Sequence, residues 1–262
     1  MATRTYQLSV IIPTKDREAL VAQTLRALCD AAGKYEIEIL LVNDSRTGTV
    51  TVPPCSLPLR VLDNPRSGVA SARNYGASEA SSDTLFFLDD DMIVNEQNIA
   101  DLFVLKETHK NACVNLNWVY PPDVVSALKN YAFGRYLIHY GFTTLKGWNR
   151  SLPWNDSDIF QTSGITSQCL LIRRDLFFRA GGYDDRFPFA GFEDHDLACR
   201  LKKCGVPLLI SPGSVLYHNE RDRIFPAMWL ERKKRGGVTR KAGVDIGYAE
   251  LEIRYRWVKY FL

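Results

Sequence analysis

The sequence predicts an α/β protein whose mostly parallel central sheet is flanked by helices, and three observations support this prediction. Short apolar runs typical of buried strands alternate with segments of helical character. The segments between them are long enough for right-handed crossovers between parallel strands. Polar residues follow several of the apolar runs directly, as expected at the carboxyl edge of such a sheet, where ligands bind.

The first half of the chain shows this alternation most clearly. The first strand is predicted to end at Pro13, and Asp16 to cap a helix that Gly33 closes. Residues 47–58, with three prolines and one glycine, predict a loop. Strands are predicted over residues 8–12, 37–42, 60–62 and 85–88, and a further helix over residues 69–80.

The second half is less regular. The stretch 143–163 holds Trp148 and Trp154 among Gly, Asn, Ser and Pro, a composition typical of an acceptor-binding loop or lid. The remaining predicted elements are strands at 113–120 and 165–172 and helices at 123–140 and 193–204, the last stopped by Gly205.

Bulk composition places the chain among ordinary globular enzymes. It has 262 residues, of which 46% are hydrophobic and 24% charged, values that exclude a disordered or fibrous protein. No apolar stretch has the length of a membrane span, and residues 1–6 lack a signal-peptide core. We therefore expect a cytoplasmic protein.

The six cysteines form no C-x-x-C pair, and we expect reduced, mostly buried thiols rather than disulfides or zinc ligands.

Three consecutive carboxylates, Asp89, Asp90 and Asp91, follow the apolar run 85–88. Their mutual repulsion favours a divalent cation with oxygen ligands, most often Mg²⁺ or Mn²⁺. The alternative is a capping cluster for a helix that begins near Glu96. Because Pro13, Thr14, Asn43 and Asp44 are also predicted at strand ends, one ligand could touch all of these residues.

A second acidic group, Glu193, Asp194 and Asp196, falls in the first turn of a predicted helix. Acids there can simply complement the helix dipole, or one of them can serve as a general base. His218 also follows an apolar segment, and it is either structural or a metal ligand.

Six segments in order resemble the motifs of family-two inverting glycosyltransferases with the GT-A fold. The resemblance covers about residues 7–219. The segments are SVIIPTKDR (9–17), ILLVND (39–44), GVASARNYG (68–76), LFFLDDDM (85–92), AGGYDDRF (180–187) and GFEDHDLACRL (191–201).

The resemblance implies a nucleotide-diphosphate sugar donor and a divalent cation, Mn²⁺ or Mg²⁺. Asp89 and Asp91 match the family's D-x-D motif, with Asp91 as metal ligand and Asp89 or Asp90 near the ribose and sugar. His218 matches a position that completes the metal site in some relatives. The remaining donor-binding positions it implies are Pro13, Thr14 and Asp16 at the nucleoside and Arg73 near the ribose and diphosphate.

On the same resemblance, Asp194 is the general base that activates an acceptor hydroxyl, and Glu193 binds the acceptor or orients the base. A smaller acceptor-side sheet and a glycan, lipid-linked or small-molecule acceptor are also implied. The chain then divides into a donor half at 1–110, an acceptor and base half at 111–220, and a tail at 221–262.

Asn43 departs from the family pattern, in which an Asp commonly accepts a hydrogen bond from uracil. Its side-chain oxygen can still accept that bond, or its amide can donate to another base. Lys15 likewise stands where an aromatic residue is frequent. A UDP-sugar is the favoured donor, with the base left open by these two residues.

The tail holds 11 Lys/Arg against 5 Asp/Glu, interleaved with aromatic residues, in a chain of net charge +3. It either contacts an anionic membrane surface or acceptor, or packs on the core or on another subunit. No nucleic-acid motif is recognisable in it.

Two alternative functions remain open: a sugar-phosphate nucleotidyltransferase and a non-catalytic carbohydrate-binding protein of the same fold. A nucleotidyltransferase would be expected to carry a glycine-rich loop after the first strand.

Overall fold

The computed structural model describes residues 6–46, 48, 50–148, 154–187, 189–221, 224–228, 230, 231 and 234. Most of the predicted basic tail, 221–262, lies outside the described residues. Within the described part of the chain, no helix combines the length and apolar character needed to cross a membrane.

Within the described residues, nine strands form one central sheet, which confirms the predicted α/β class. Their order across the sheet is β3-β2-β1-β4-β8-β6-β9-β5, and β7 pairs with β9. The strands are β1 (Leu8–Thr14), β2 (Ile37–Asn43), β3 (Leu59–Asp63), β4 (Thr84–Leu88), β5 (Met92–Ile93), β6 (Cys113–Val119), β7 (Phe160–Gln161), β8 (Cys169–Arg173) and β9 (Leu208–His218).

Between residues 18 and 203, the described part of the chain forms eight helices around this sheet. The helices are α1 (Glu18–Ala31), α2 (Val69–Glu79), α3 (Glu96–Thr108), α4 (Pro122–Leu128), α5 (Ala132–His139), α6 (Leu145–Trp148), α7 (Arg174–Arg179) and α8 (Glu193–Lys203).

The first half contains the parallel strands and intervening helices that the sequence predicts. Strands β3, β2, β1 and β4 run parallel, and the two central ones, β1 and β2, are fully buried. Helix α2 packs closely on this sheet at Gly76, where a Cβ atom would lie 2.6 Å from Cγ2 of Ile11. A glycine is therefore required at this contact because the sheet leaves no space for a side chain.

The second half extends the same sheet instead of forming a smaller one. Strand β8 runs antiparallel to both β4 and β6, while β6 and β9 are parallel. The helix predicted over 123–140 is divided into α4 and α5, and the strand predicted from residue 165 begins only at Cys169. The prediction missed the interruption between α4 and α5 and the later start of β8, because neither segment holds a proline that would mark the boundary.

Two local predictions at strand ends were wrong. β1 continues through Pro13 to Thr14, because β4 pairs only with residues 9–11 and requires no amide hydrogen from Pro13. Asp16 does not cap α1; it has a left-handed backbone (φ 54°), and Arg17 precedes the helix instead. Asp16 thus forms the turn that leads from β1 into α1.

The prediction of six reduced cysteines was also wrong. Cys29, in α1, and Cys55, between β2 and β3, form a disulfide. Cys113, Cys169 and Cys204 are free thiols, the first two buried. A separation of 26 residues and the lack of a motif left this pair invisible in the sequence.

Candidate active site

The carboxyl ends of β1, β2 and β4 meet at one edge of the sheet, as predicted. The three aspartates form the turn between β4 and β5. Thr14, at the end of β1, donates from Oγ1 to Oδ2 of Asp90 over 2.7 Å. Helix α3 is capped by Asn95 and Asn98 rather than by the aspartates, which removes the capping alternative.

Arg17 lies between two of these carboxylates and was missed by the sequence analysis. Its guanidinium donates to Oδ1 of Asp90 and, over 2.7 Å, to Oδ2 of Asp91. Burial raises the pKa of Asp90 to about 7, Asp91 acts in the same direction, and Arg17 and Thr14 oppose the shift. The sequence carried no signal for this contact, because Arg17 lies 73 and 74 residues before the two aspartates.

Asp91, His218 and Glu220 bring their ligand atoms within 4.8 Å of one another, and all three residues are buried. Nε2 of His218 lies 3.3 Å from Oδ1 of Asp91. Two carboxylates and an imidazole form a donor set that suits a divalent cation such as Mn²⁺. Glu220 was not predicted, although it follows His218 at the same strand end.

Aromatic side chains enclose this cluster. The rings of Trp118 and Tyr120 meet the His218 ring edge to face, at centroid distances of 4.8 and 5.7 Å. The Tyr120 hydroxyl donates to Oε2 of Glu220 over 2.6 Å. These contacts fix the imidazole and one carboxylate before any cation binds.

Arg73, in α2, joins the aspartate turn to the second acidic group. It donates to Oδ1 of Asp89 over 2.8 Å and to Oε1 of Glu193 over 3.0 Å. Burial lowers the pKa of Arg73, but Asp89, Tyr183 and Glu193 outweigh it and raise that pKa above its ordinary range. Burial and Asp194 raise the pKa of Glu193, which Arg73 opposes. Arg73 therefore remains charged between two carboxylates.

Glu193 and Asp194 are adjacent in α8 but have different surroundings. Oε2 of Glu193 accepts the backbone amides of Gly191 and Phe192, so this carboxylate is fully engaged. Asp194 is half-buried, and its Oδ1 accepts the backbone amide of His195 over 2.8 Å. Among the described residues it forms no ion pair with a lysine or arginine, and it could accept a proton from a ligand.

Asn43 is buried, and its amide is used within the protein. Nδ2 donates to the Gly48 carbonyl and to Asp63, at 3.0 and 3.1 Å, while Oδ1 accepts the Ser45 amide at 3.0 Å. Both amide hydrogens therefore have partners, and only the oxygen has capacity for a base. Thr14, Asp16 and Asn43 line one cleft with Arg17, Glu18, Ser45, Gly48 and Val50.

The next residue, Asp44, organises the loop before α2. Its Oδ1 accepts from Asn64 and from the Gly68 amide, at 2.7 and 2.9 Å. Lys15 approaches Oδ2 at 3.4 Å. Asp44 therefore supports the loop between β3 and α2, while its predicted role in donor binding is tested by none of these contacts and stays a prediction.

Trp148 and Trp154 both contact their own segment. The half-exposed Trp148 donates from Nε1 to the Phe142 carbonyl, and Trp154 donates to Asp156 and packs against Phe160. Their predicted role in acceptor binding is tested by none of these contacts and stays a prediction.

The family model for glycosyl transferase family 2 matches residues 9–177, most of the chain. The chain belongs to this family. The match extends from β1 into α7 and includes the aspartate turn, Arg17 and Arg73, whereas α8 and β9 lie beyond it.

Curated relatives are similar over most of this chain. It is 26% identical over 225 residues to the O-antigen biosynthesis protein RfbC of Myxococcus xanthus, across 82% of this chain and 17% of the relative. It is 28% identical over 231 residues to the validoxylamine A glucosyltransferase of Streptomyces hygroscopicus subsp. limoneus, across 79% and 50%. The chain thus spans half or less of the length of these relatives.

Solved structures of low sequence identity share the fold. Mannosyltransferase PcManGT from Pyrobaculum calidifontis, solved with GDP-Man and Mn²⁺, has a TM-score of 0.61 and 16% identity, covering 93% of this chain and 65% of that one. GalNAc-T7, solved with UDP, GalNAc and Mn²⁺, has a TM-score of 0.58 and 18% identity, covering 82% and 44%. Both are GT-A glycosyltransferases, so this family 2 chain has the predicted GT-A fold.

Proposed function

We propose that this chain transfers a sugar from a nucleotide-diphosphate sugar to an acceptor hydroxyl, with inversion at the anomeric carbon. The observation that carries the proposal is the separation of two acidic groups by Arg73. One group, around Asp91, contains the metal-type donor set, and the other presents Asp194. Such a division matches a reaction that needs both a cation for the leaving group and an unliganded base.

The donor would bind at the edge formed by β1, β2 and β4. Its nucleoside would occupy the cleft that Thr14, Asp16 and Asn43 line, and its diphosphate would lie near Asp89, Asp90 and Arg73. The Asn43 oxygen is suited to accept a hydrogen bond from a base N–H, which favours a UDP-sugar. GDP-sugars are the other donor class to test, because a neighbouring structure was solved with GDP-Man.

Asp91, His218 and Glu220 would hold the divalent cation, Mn²⁺ or Mg²⁺. Once bound, it would neutralise negative charge on the leaving diphosphate. The two carboxylates and Asp90 form a negatively charged site, to which Arg17 contributes one positive charge. Their buried positions keep these charges close to the donor, where water screens them least.

Asp194 would act on the acceptor. Its carboxylate accepts the hydroxyl proton while the acceptor oxygen attacks the anomeric carbon from the face opposite the diphosphate. The bond from that carbon to the phosphate oxygen breaks, and the nucleoside diphosphate leaves. Glu193, fixed by Arg73 and two backbone amides, would support the position of its neighbour.

The acceptor is proposed only as a class, a glycan, a lipid-linked sugar or a small molecule, with Trp148 and Trp154 as candidate contacts. A non-catalytic carbohydrate-binding role would not require both acidic groups, and both are present. A nucleotidyltransferase would be expected to have a glycine-rich loop after β1, where this chain has Lys15, Asp16 and Arg17.

The proposal is tested by incubating the full chain with Mn²⁺ and a panel of UDP-, GDP- and dTDP-sugars, with simple glycans as acceptors. Release of nucleoside diphosphate and acceptor glycosylation are measured with and without a chelator. We expect product from one donor class, lost on chelation and formed with inverted anomeric configuration. Product of retained configuration, or activity indifferent to the chelator, would contradict the proposal.

A further inference from the structure

The side chain of Arg17 is buried against the metal-type cluster, and the proposed reaction assigns it no task beyond its charge. Only 9% of this side chain is exposed, against 4% for Asp90 and 2% for Asp91. A guanidinium is seldom buried so deeply without a specific arrangement of partners. Asp90 and Asp91 belong to one turn, so Arg17 acts on the shape of that turn.

The two oxygens of Asp91 face different groups. Oδ2 accepts from Nη2 of Arg17 at 2.7 Å, whereas Oδ1 lies 3.3 Å from Nε2 of His218. His218, one member of the ligand cluster, therefore lies beside the Asp91 oxygen to which Nη2 of Arg17 does not donate. Arg17 therefore contacts the other oxygen of this carboxylate, and its guanidinium does not occupy the position expected for a cation.

Electrostatics explains why such a support is needed. Asp90 and Asp91 are adjacent, buried and of like charge, so their carboxylates repel each other in a medium of low dielectric constant. The flat guanidinium can donate to both at once, which a lysine ammonium on a flexible stem does less well. Thr14 holds Asp90 from the other direction, at 2.7 Å.

We propose that Arg17 is a positioning residue of the metal site. By bridging Asp90 and Asp91 it holds Asp91 with its second oxygen directed to His218 and Glu220, so that the site is shaped before a cation arrives. This inference rests on the proposed metal role of Asp91. Residues that orient metal ligands in this way typically contribute about 10- to 100-fold to metal affinity.

The test is Mn²⁺ binding to the full chain without nucleotide, followed by the electron paramagnetic resonance signal of free Mn²⁺. We expect Arg17→Met to weaken binding about 10- to 100-fold. Arg17→Lys, which keeps the charge but loses the planar fork, should lie between that variant and the wild type. If Arg17 only offset charge, its removal would tighten Mn²⁺ binding and Arg17→Lys would match the wild type; either result overturns the inference.

A matched variant separates positioning from general damage. Arg200 pairs with Asp196 and donates to the carbonyls of Ala180 and Gly182, away from the metal-type cluster. Arg200→Met should lower the melting temperature yet bind Mn²⁺ as the wild type does. Should Arg17→Met not fold, Arg17→Lys carries the comparison.

The wild type and His218→Ala show which claim has failed. If the wild type binds no Mn²⁺, the proposed metal role and this inference are both wrong. If the wild type binds Mn²⁺, His218→Ala does not, and both Arg17 variants bind normally, only the role of Arg17 is overturned.

Discussion

Nη1 of Arg73 lies 3.0 Å from Oε1 of Glu193, across 120 residues of sequence, and both side chains are buried. Because Arg73 also donates to Asp89, one guanidinium fixes the spacing between the aspartate turn and the start of α8. That spacing separates the metal-type carboxylates from Asp194. The contact between Arg73 in α2 and Glu193 in α8 therefore holds the proposed metal site and the proposed base apart.

We expect Arg73→Met to lower the free energy of unfolding by about 3 to 5 kcal/mol, because it leaves the buried Glu193 without its cation. Urea denaturation measures this. Arg60→Met is the control, since Arg60 pairs with Glu79 at the exposed surface and should cost less than about 1 kcal/mol. Equal losses of unfolding free energy in the two variants would show that the buried pair stabilises the fold no more than the exposed pair does.

The cost of Arg73→Met should depend on pH. In the wild type Arg73 opposes the rise in the pKa of Glu193 that burial and Asp194 cause. Without Arg73 this pKa rises further, so the Glu193 carboxyl takes up a proton at a higher pH in the folded state than in the unfolded state. The loss of unfolding free energy caused by Arg73→Met therefore shrinks as pH falls. Denaturation at several pH values between 7 and about 5 should show this, because ordinary glutamates titrate near 4.3. A pH-independent difference between variant and wild type would contradict it.

Asp194→Asn removes the proposed base but keeps the shape of its side chain. We expect turnover to fall by about 10²- to 10⁴-fold, the usual contribution of a positioned base, with little change in melting temperature. Asp196→Asn, two residues along α8, is the control and should retain most activity, because Asp196 pairs with Arg200 outside the site. Near-normal turnover in Asp194→Asn would remove Asp194 from the mechanism.

The disulfide between Cys29 and Cys55 should stabilise the fold measurably. Closing a loop of this size contributes about 3 kcal/mol, so a reductant or Cys29→Ser should lower the free energy of unfolding by that order. Cys204→Ser is the control, and it should respond to the reductant as the wild type does. Alkylation of all six cysteines after unfolding without reductant would show that no disulfide forms.

Much of the fold could be predicted because the first half follows simple rules. Apolar runs of strand length gave β1, β2 and β4, and acids or amides after them marked the ligand-binding edge. The second half resisted prediction because β8 enters antiparallel and the segment around α4 and α5 is broken by packing. Such long-range pairing leaves no local signal in the sequence.

Site residues could be predicted from the sequence where their role follows from residue type. They could not be predicted where their role depends on which residues they contact in the fold. The aspartate turn and His218 were recognised as possible metal ligands, and the structure brings them together. The parts played by Arg17 and Glu220 could not be predicted, because a charged residue at a strand end indicates nothing about which carboxylate or imidazole it meets. Only the geometry links Arg17 to Asp91 and Glu220 to Tyr120.

The separation of metal and base is tested most directly by calorimetric titration of UDP and GDP, in the presence and absence of Mn²⁺, into Asp91→Asn, Asp194→Asn and the wild type. We expect Mn²⁺-dependent binding of one nucleotide to the wild type and, with similar affinity, to Asp194→Asn. Asp91→Asn should bind at least tenfold more weakly with Mn²⁺ present. Unchanged binding in Asp91→Asn, or an equal loss in Asp194→Asn, would contradict the separation of the two acidic groups into a metal site and a base.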